Sequence, residues 1–261
     1  MKQSLMILVL TCSVLFMQSQ TISRSVIGSA GNVTSAGGII LSNTVGEAFT
    51  QTLSNANYKI TQGFQQGEKT DSTMLYLLLY LEGYYAGNYY MQPTLNNQQQ
   101  SISTTITDTI TVELHPVSNP GIVATQVKTV LYTNSNANCM IPVDNGDYYI
   151  VIKHRNHLET WSAVPVSFTG TYTYHDFTWA ANQAFGSNMK EIEPGYWAIY
   201  SGDINQDGAI DAFDYIILDP DVINGSSGYL HTDLTGDGTV DAFDYILLDS
   251  HVVQGVGVIK P

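Results

Sequence analysis

The sequence predicts a mainly β chain with a small α module at its C-terminal end. Three observations carry this. Short runs of β-branched and aromatic residues, broken by turn signals, fill residues 74–200. Apolar residues at helical spacing follow later, at Phe213, Ile216 and Ile217 and again at Phe243, Ile246 and Leu247. Each set grows out of one acidic phrase written twice, GDINQDGAIDAFDYIILD from Gly202 to Asp219 and TDLTGDGTVDAFDYILLD from Thr232 to Asp249.

The chain opens MKQSLMILVLTCSVLFMQSQT, with one Lys before an apolar stretch from Leu5 to Met17 and polar residues after it. That is the pattern of a secretory signal peptide over residues 1–20, too short for a membrane span. The mature protein is therefore expected to be secreted or at the cell surface. Removal of the leader takes Cys12 and leaves Cys139 alone, so no intrachain disulfide is expected. Residues 21–66 are rich in Gly, Ser and Thr, and the runs GGIILSNTVGEAFTQTL and YKITQGF predict two to four short strands. Residues 67–73 read as a polar linker.

Across residues 74–200, MLYLLLYLEGYY (Met74–Tyr85) reads as a buried strand. TITVELHP alternates, with Ile110, Val112 and Leu114 on one face. DYYIVIKH sets Ile150 and Ile152 opposite Tyr149 and Val151. Short strands separated by VSNPG, NSNAN and DNGD predict an immunoglobulin-like antiparallel β-sandwich. NQAFGSNMKEIE (Asn182–Glu193) reads as one short helix or a loop. The aromatics Tyr84, Tyr85, Tyr89, Tyr90, Trp161, Trp179 and Trp197 fit either a sugar-stacking platform or core and strand pairs, and the core reading is favoured. Pro220 predicts the end of the first C-terminal helix.

The formal charge is −14, and 11 of the 23 acidic residues lie between Asp203 and Asp249, all of them Asp. From Glu191 onward Lys260 is the only Lys or Arg. Nucleic-acid binding is excluded on that balance, because phosphate neutralisation needs basic patches. Asp at fixed spacing points instead to liganding. Counted from Asp203, Asp203, Asn205, Asp207, Asp211 and Asp214 stand at places 1, 3, 5, 9 and 12, Gly208 at the sharp turn of place 6, and Ala209 at place 7 with its carbonyl. This is the twelve-residue EF-hand loop for a hard cation, calcium. The second loop repeats it with Asp233, Asp237, Gly238, Thr239, Asp241 and Asp244, and departs at place 3, where Thr235 offers a weaker hydroxyl. Two calcium ions are expected, the second held more weakly. A chance acidic turn does not explain two loops in register.

EPGYWAIYSG before Asp203 cannot form the leading helix of an EF-hand, and place 12 is Asp in both loops. The doubled loop-then-helix unit over residues 201–254 resembles a type I dockerin. The resemblance implies two antiparallel helices packed through Ile216, Ile217, Leu218, Ile246, Leu247 and Leu248, and docking onto a cohesin-like or other surface protein. It also assigns partner choice to places 10 and 11, here Ala212, Phe213, Ala242 and Phe243. The family usually has Ser-Thr or similar there and a base near place 18, where this chain has Pro220 and Ser250. Two aromatics at place 11 call for cover, and one is expected to pack on the chain's own sandwich while the other meets a partner. Residues 80–200 resemble, more loosely, sandwich modules that precede such repeats in large bacterial cell-surface proteins.

No G-x-S-x-G elbow, H-E-x-x-H or P-loop occurs. In HRNH, His154 and His157 at a strand end are expected to point to opposite faces, and His231 and His251 to lie at the surface. The chain is thus expected to be a non-catalytic exported calcium-binding protein that docks or adheres at the cell surface. The alternative is an accessory, carbohydrate-binding or scaffold-attached component of polysaccharide degradation.

Overall fold

The computed structural model describes residues 72–261 throughout. Before them it describes four short strands, Ala30–Ala36 (β1), Ile39–Val45 (β2), Leu53–Ser54 (β3) and Lys59–Ile60 (β4). β1 pairs antiparallel with β2, and β3 with β4. The signal peptide expected at residues 1–20, and all but the end of the linker expected at 67–73, lie outside the described residues. The chain divides into two compact units, Met1–Lys69 and Thr70–Pro261. Everything below concerns the second.

Its strands are Ser72–Leu78 (β5), Tyr85–Gly87 (β6), Tyr90–Met91 (β7), Ile106–Pro116 (β8), Thr125–Tyr132 (β9), Cys139–Pro142 (β10), Gly146–His154 (β11), His157–Trp161 (β12), Val166–Phe168 (β13), Tyr172–Asp176 (β14), Lys190–Glu193 (β15) and Tyr196–Ala198 (β16). Three α-helices join them: Thr94–Asn97 (α1), Ala212–Asn224 (α2) and Ala242–Gln254 (α3). The largest sheet runs β12-β11-β8-β9, with β13 also on β11; a second runs β10-β5-β14, and β6-β7 and β15-β16 form two-stranded pairs. Alternation decides what each strand buries. Leu75 and Leu77 of β5, Ile110, Val112 and Leu114 of β8, and Ile150 and Ile152 of β11 all enter one core, joined by Ile141 and Phe168. Tyr84 and Trp161 are buried, as the core reading of the aromatics required, whereas Tyr89, Tyr90 and Trp179 are exposed.

The sheets are not antiparallel throughout: β14 runs parallel to β5, Tyr172 opposite Met74 and Asp176 opposite Leu78. β10 already fills one edge of β5 in the antiparallel sense, and β14 adds to the remaining edge. Residues 182–193 form neither a helix nor a plain loop. Two 3-10 turns, Ala181–Gln183 and Phe185–Ser187, lead into β15, and Gly186 at φ 65° interrupts any longer helix.

Helices α2 and α3 are built alike. Asp211 and Asp241 cap them, each accepting from the N–H two residues on at 2.8 Å. Asp214 and Asp244 return the bond to the cap N–H at 2.9 and 2.8 Å, completing two capping boxes. Gly225 and Gly255 close the helices in the left-handed conformation. Pro220 does not stop α2, which continues to Asn224. The carbonyl its ring leaves unbonded belongs to Ile216, which is 65% exposed, so the loss falls on the solvent side.

The module core takes one residue from each matching place of the two repeats: Ile204 and Leu234, Ile210 and Val240, Leu218 and Leu248, with Leu158 of β12 added from the sheet. The helices do not pack through Ile216 and Ile246, which are 65% and 62% exposed. Both helices bury places 12 and 16, α3 also burying His251, and place 14 lies about 200° from places 12 and 16 around a helix of 3.6 residues per turn. The helices meet instead through a reciprocal clasp. Tyr215 donates to Asp249 and Tyr245 to Asp219, and the two rings stack at 6.2 Å. Burial and Asp249 hold the Tyr215 hydroxyl up at about 12, so it stays a donor.

Candidate metal loops and outward helix face

In the first loop, Asp203 at place 1 is buried. Its Oδ2 accepts from the place-6 N–H of Gly208 at 3.2 Å. Its Oδ1 is buried without any hydrogen-bond partner. Gly208 sits at φ 89°, which lets the backbone turn toward the carboxylate. Asn205 Oδ1 accepts from Asp207 N–H, and Asp207 Oδ1 from Ala209 N–H, both at 2.9 Å, so places 3 and 5 curl inward along one tight turn. Asp214 at place 12 is fully buried, accepting from Ile204 and Asn205 N–H at 2.8 and 3.1 Å and from Asp211 N–H at 2.9 Å. Asp211 at place 9 turns to its helix cap, consistent with a place that usually ligates through water.

Among the described residues no three His, Cys, Asp or Glu side chains form a ready-made cluster. The candidate donors of the first loop are the Asn205 amide and Ala209 carbonyl oxygens beside its carboxylates, a mixture that calcium takes. The orphaned Asp203 oxygen fits a cation. Among the described residues no ion pair reaches a loop aspartate, and Lys153 and Lys260, which line the cavity of about 180 Å³ beside Asp203, are held by Glu113 and Glu159. Burial, then the charge of Asp214, pushes Asp203 up to about 7.

A pH dependence follows. An acid raised from 3.8 to about 7 in the folded state stabilises the metal-free fold at low pH and loses that contribution as pH climbs through about 7. Bound calcium favours the ionised form. The rise in melting temperature on adding calcium should therefore grow between about pH 5 and about pH 8. Melting curves with calcium and with EDTA across that range check this, and an increment that shrinks with pH counts against the loop as a cation site.

The second loop has the same frame in a different setting. Gly238 turns at φ 94°, and Asp244 accepts from Leu234, Thr235 and Asp241 N–H at 2.7, 3.0 and 2.8 Å. Burial raises Asp244 to about 6 and also raises Asp233. Asp237 accepts from Thr239 N–H at 2.8 Å. Asp233, however, has no free oxygen. Oδ1 accepts from Gly236 N–H at 2.7 Å and from the Thr235 hydroxyl at 3.2 Å; Oδ2 accepts from Gly238 N–H at 2.9 Å and from the Gln98 amide.

A buried polar network ties this loop to the sheets. Arg155 Nε donates to Asp108 at 3.0 Å, Nη1 to the Leu230 carbonyl, and Nη2 to Tyr84 and Gln98 at 2.6 and 3.0 Å. Its guanidinium lies 4.3 Å over the Tyr229 ring. Burial alone would raise Asp108, but the hydrogen bond and charge of His154, together with Arg155, hold it well below the usual carboxylate range. Asn156 donates to the carbonyls of His231 and Asp233 at 3.0 and 2.9 Å. His154 and His157 do not point apart: the chain bends at Arg155-Asn156 and brings their Nδ1 atoms to 2.9 Å. Both rings are buried, and burial lowers both. His251 is likewise buried, between the Ser201 carbonyl and Glu82; His231 is exposed.

Ala212, Phe213, Ala242 and Phe243 are all exposed. Phe213 is 62% and Phe243 65% exposed, so neither packs on the sheets. Phe213, Ile216 and Ile217 form an i, i+3, i+4 stripe that faces outward, and Phe243 with Ile246 repeats it. The periodicity marked an apolar face but not which way it points. Ile216 and Ile246 belong to that face and were missed for this reason. Gln98 was missed as well; its one sequence signal is Gly236 at place 4, where the first loop has Gln206.

Residues 201–253 match the model of the dockerin type I domain. No curated protein matches the chain. Among solved structures, it is similar to a chain in a C-terminal interface mutant of a type II cohesin–X-dockerin complex from Acetivibrio cellulolyticus. The two share 17% identity over 72% of this chain and 97% of that one, with a TM-score of 0.43. An N-terminal interface mutant of the type II complex from the same organism gives 18% identity, 69% and 95% coverage, and a TM-score of 0.41.

Proposed function

We propose that this chain is a non-catalytic, exported, calcium-binding docking protein. Its C-terminal module, residues 201–254, meets a cohesin-like surface protein, and the β-sandwich at residues 74–200 carries the module as a rigid support. The observation that carries the reading is the doubled outward stripe, Phe213 with Ile216 and Phe243 with Ile246, on the segment that matches a dockerin domain. A patch of this kind, repeated on two helices, marks a protein–protein surface. Calcium would be held at Asp203, Asn205, Asp207, the Ala209 carbonyl, Asp211 and Asp214. It would tie loop to helix and neutralise buried carboxylates. The convergent groups at Asp108, His154 and Arg155 support a structural role, since Asp108 and His154 are buried, the Arg155 side chain is 8% exposed, and both basic groups meet Asp108.

Substituting Phe213 and Phe243 by Ser tests docking. Each change should weaken capture of a cohesin-type partner by about 2 kcal/mol or more, roughly 30-fold in Kd. The calcium-bound melting temperature should stay nearly constant, because exposed substitutions cost within about 0.5 kcal/mol. Loss of folding from either change, or capture that survives both, would sink the reading.

A second reading, glycan binding in polysaccharide degradation, is favoured by one observation. Tyr76, Tyr172 and Tyr174 lie exposed on the neighbouring strands β5 and β14, Tyr174 opposite Tyr76 and the Tyr76 and Tyr172 rings 6.3 Å apart. Such a row can stack against sugar rings. Affinity electrophoresis of the Tyr172→Ala, Tyr174→Ala protein in polysaccharide gels separates the readings: docking requires no change in mobility relative to the parent, glycan binding requires lost retardation.

A further inference from the structure

The two acidic loops share a spacing but not a setting. Loop 1 leaves a buried Asp203 oxygen without a partner and adjoins a cavity. Loop 2 has its place-1 carboxylate saturated by four donors, one of them the Gln98 amide from beyond the repeat. The segment around α1 closes over the same loop. Gln92 donates to the Thr235 carbonyl at 3.3 Å, Asn97 to the Gly236 carbonyl at 3.0 Å, and Asn156 to the Asp233 carbonyl at 2.9 Å. The approach is close enough to dictate sequence: a Cβ on Gly236 would stand 2.5 Å from Thr94 Oγ1, and one on Gly238 2.7 Å from the Asn97 carbonyl. In loop 1 the nearest neighbour of a Gly208 Cβ is Val258 at 3.5 Å.

We propose that the chain takes one calcium ion, in loop 1, and that loop 2 is closed in place of a second ion by a clamp of side-chain amides from Gln92, Asn97, Gln98 and Asn156. The Gln98 amide joins the Gly236 and Gly238 N–H groups and the Thr235 hydroxyl in supplying to the Asp233 carboxylate the positive partners that a cation would supply, while Gln92, Asn97 and Asn156 hold the loop's backbone carbonyls. The module is then half calcium-dependent and half locked to the sheet. This rests on the calcium reading of loop 1 above.

The test is the number of ions bound by the full chain, from native mass spectrometry and calcium titration calorimetry. One ion is expected, Asp203→Asn should bind none, and Gln98→Ala should admit a second. Two ions in the parent, or one retained by Asp203→Asn, overturns the proposal and leaves calcium binding itself standing. No ion in the parent overturns the calcium reading as well. A folded Gln98→Ala protein that still takes one ion overturns the clamp. Hydrogen exchange of the parent in EDTA needs no variant: exchange should quicken over residues 203–214 and stay slow over 233–244, and equal quickening in both loops overturns the asymmetry.

Discussion

Replacing Arg155 by Met should destabilise the Thr70–Pro261 unit by about 3–5 kcal/mol, the range for removing one partner of a buried ion pair. Asp108 is fully buried, and the guanidinium stands 3.0 Å from it. Without that charge the carboxylate keeps His154 Nε2 at 3.2 Å, the Thr109 N–H at 2.7 Å and the Tyr229 hydroxyl at 3.1 Å, which offset its desolvation only in part. The loss is also shared, because the same side chain reaches Leu230, Tyr84 and Gln98. Adding Asp108→Asn to Arg155→Met should recover part of the loss, since the uncompensated charge is then gone. Urea unfolding followed by tryptophan emission measures both. A cost under about 1 kcal/mol would mean that the pair behaves as a solvated surface bridge.

Gly83→Ala should loosen the module from the sheets. The added Cβ would lie 1.9 Å from the Leu234 carbonyl oxygen and 2.9 Å from Leu247 Cδ1. The first is backbone and cannot rotate away, so the two parts must separate or the 3-10 turn at Glu82–Tyr84 must shift. The cost should reach at least the overpacking range of about 1–3 kcal/mol. Hydrogen exchange is the sharper readout: protection should fall in residues 82–98 and 230–238 while β8 and β11 keep theirs. Unchanged protection at Leu234 would show that the close approach is not maintained in solution.

Much of what is local was legible in the sequence. The alternation of Ile110, Val112 and Leu114 named the buried face of β8, because a strand's period leaves no other choice once one face meets a core. The glycine at place 6 of each loop takes the left-handed turn its spacing demanded. The doubling of the acidic phrase is matched by doubled cores and by a doubled clasp, Tyr215 with Asp249 and Tyr245 with Asp219. That clasp was readable in principle, since both residues recur at the same places of the two repeats. The histidine pair was not, because strand parity holds only while the strand continues, and β11 ends between them.

The sequence by itself determined the spacing of the acidic loops, the helix caps, the strand faces and the existence of an apolar stripe on each C-terminal helix. These depend on residues a few positions apart, whose relative geometry the backbone sets. Only the tertiary structure decided which way those stripes face, because periodicity is unchanged when a helix turns its other side to the core. The setting of the two loops was decided the same way. Gln98 and Asp233 are 135 residues apart, and nothing in either neighbourhood specifies the other. Their pairing exists because β12 and the turn at Arg155-Asn156 seat the second repeat against α1, leaving the first repeat beside an open cavity.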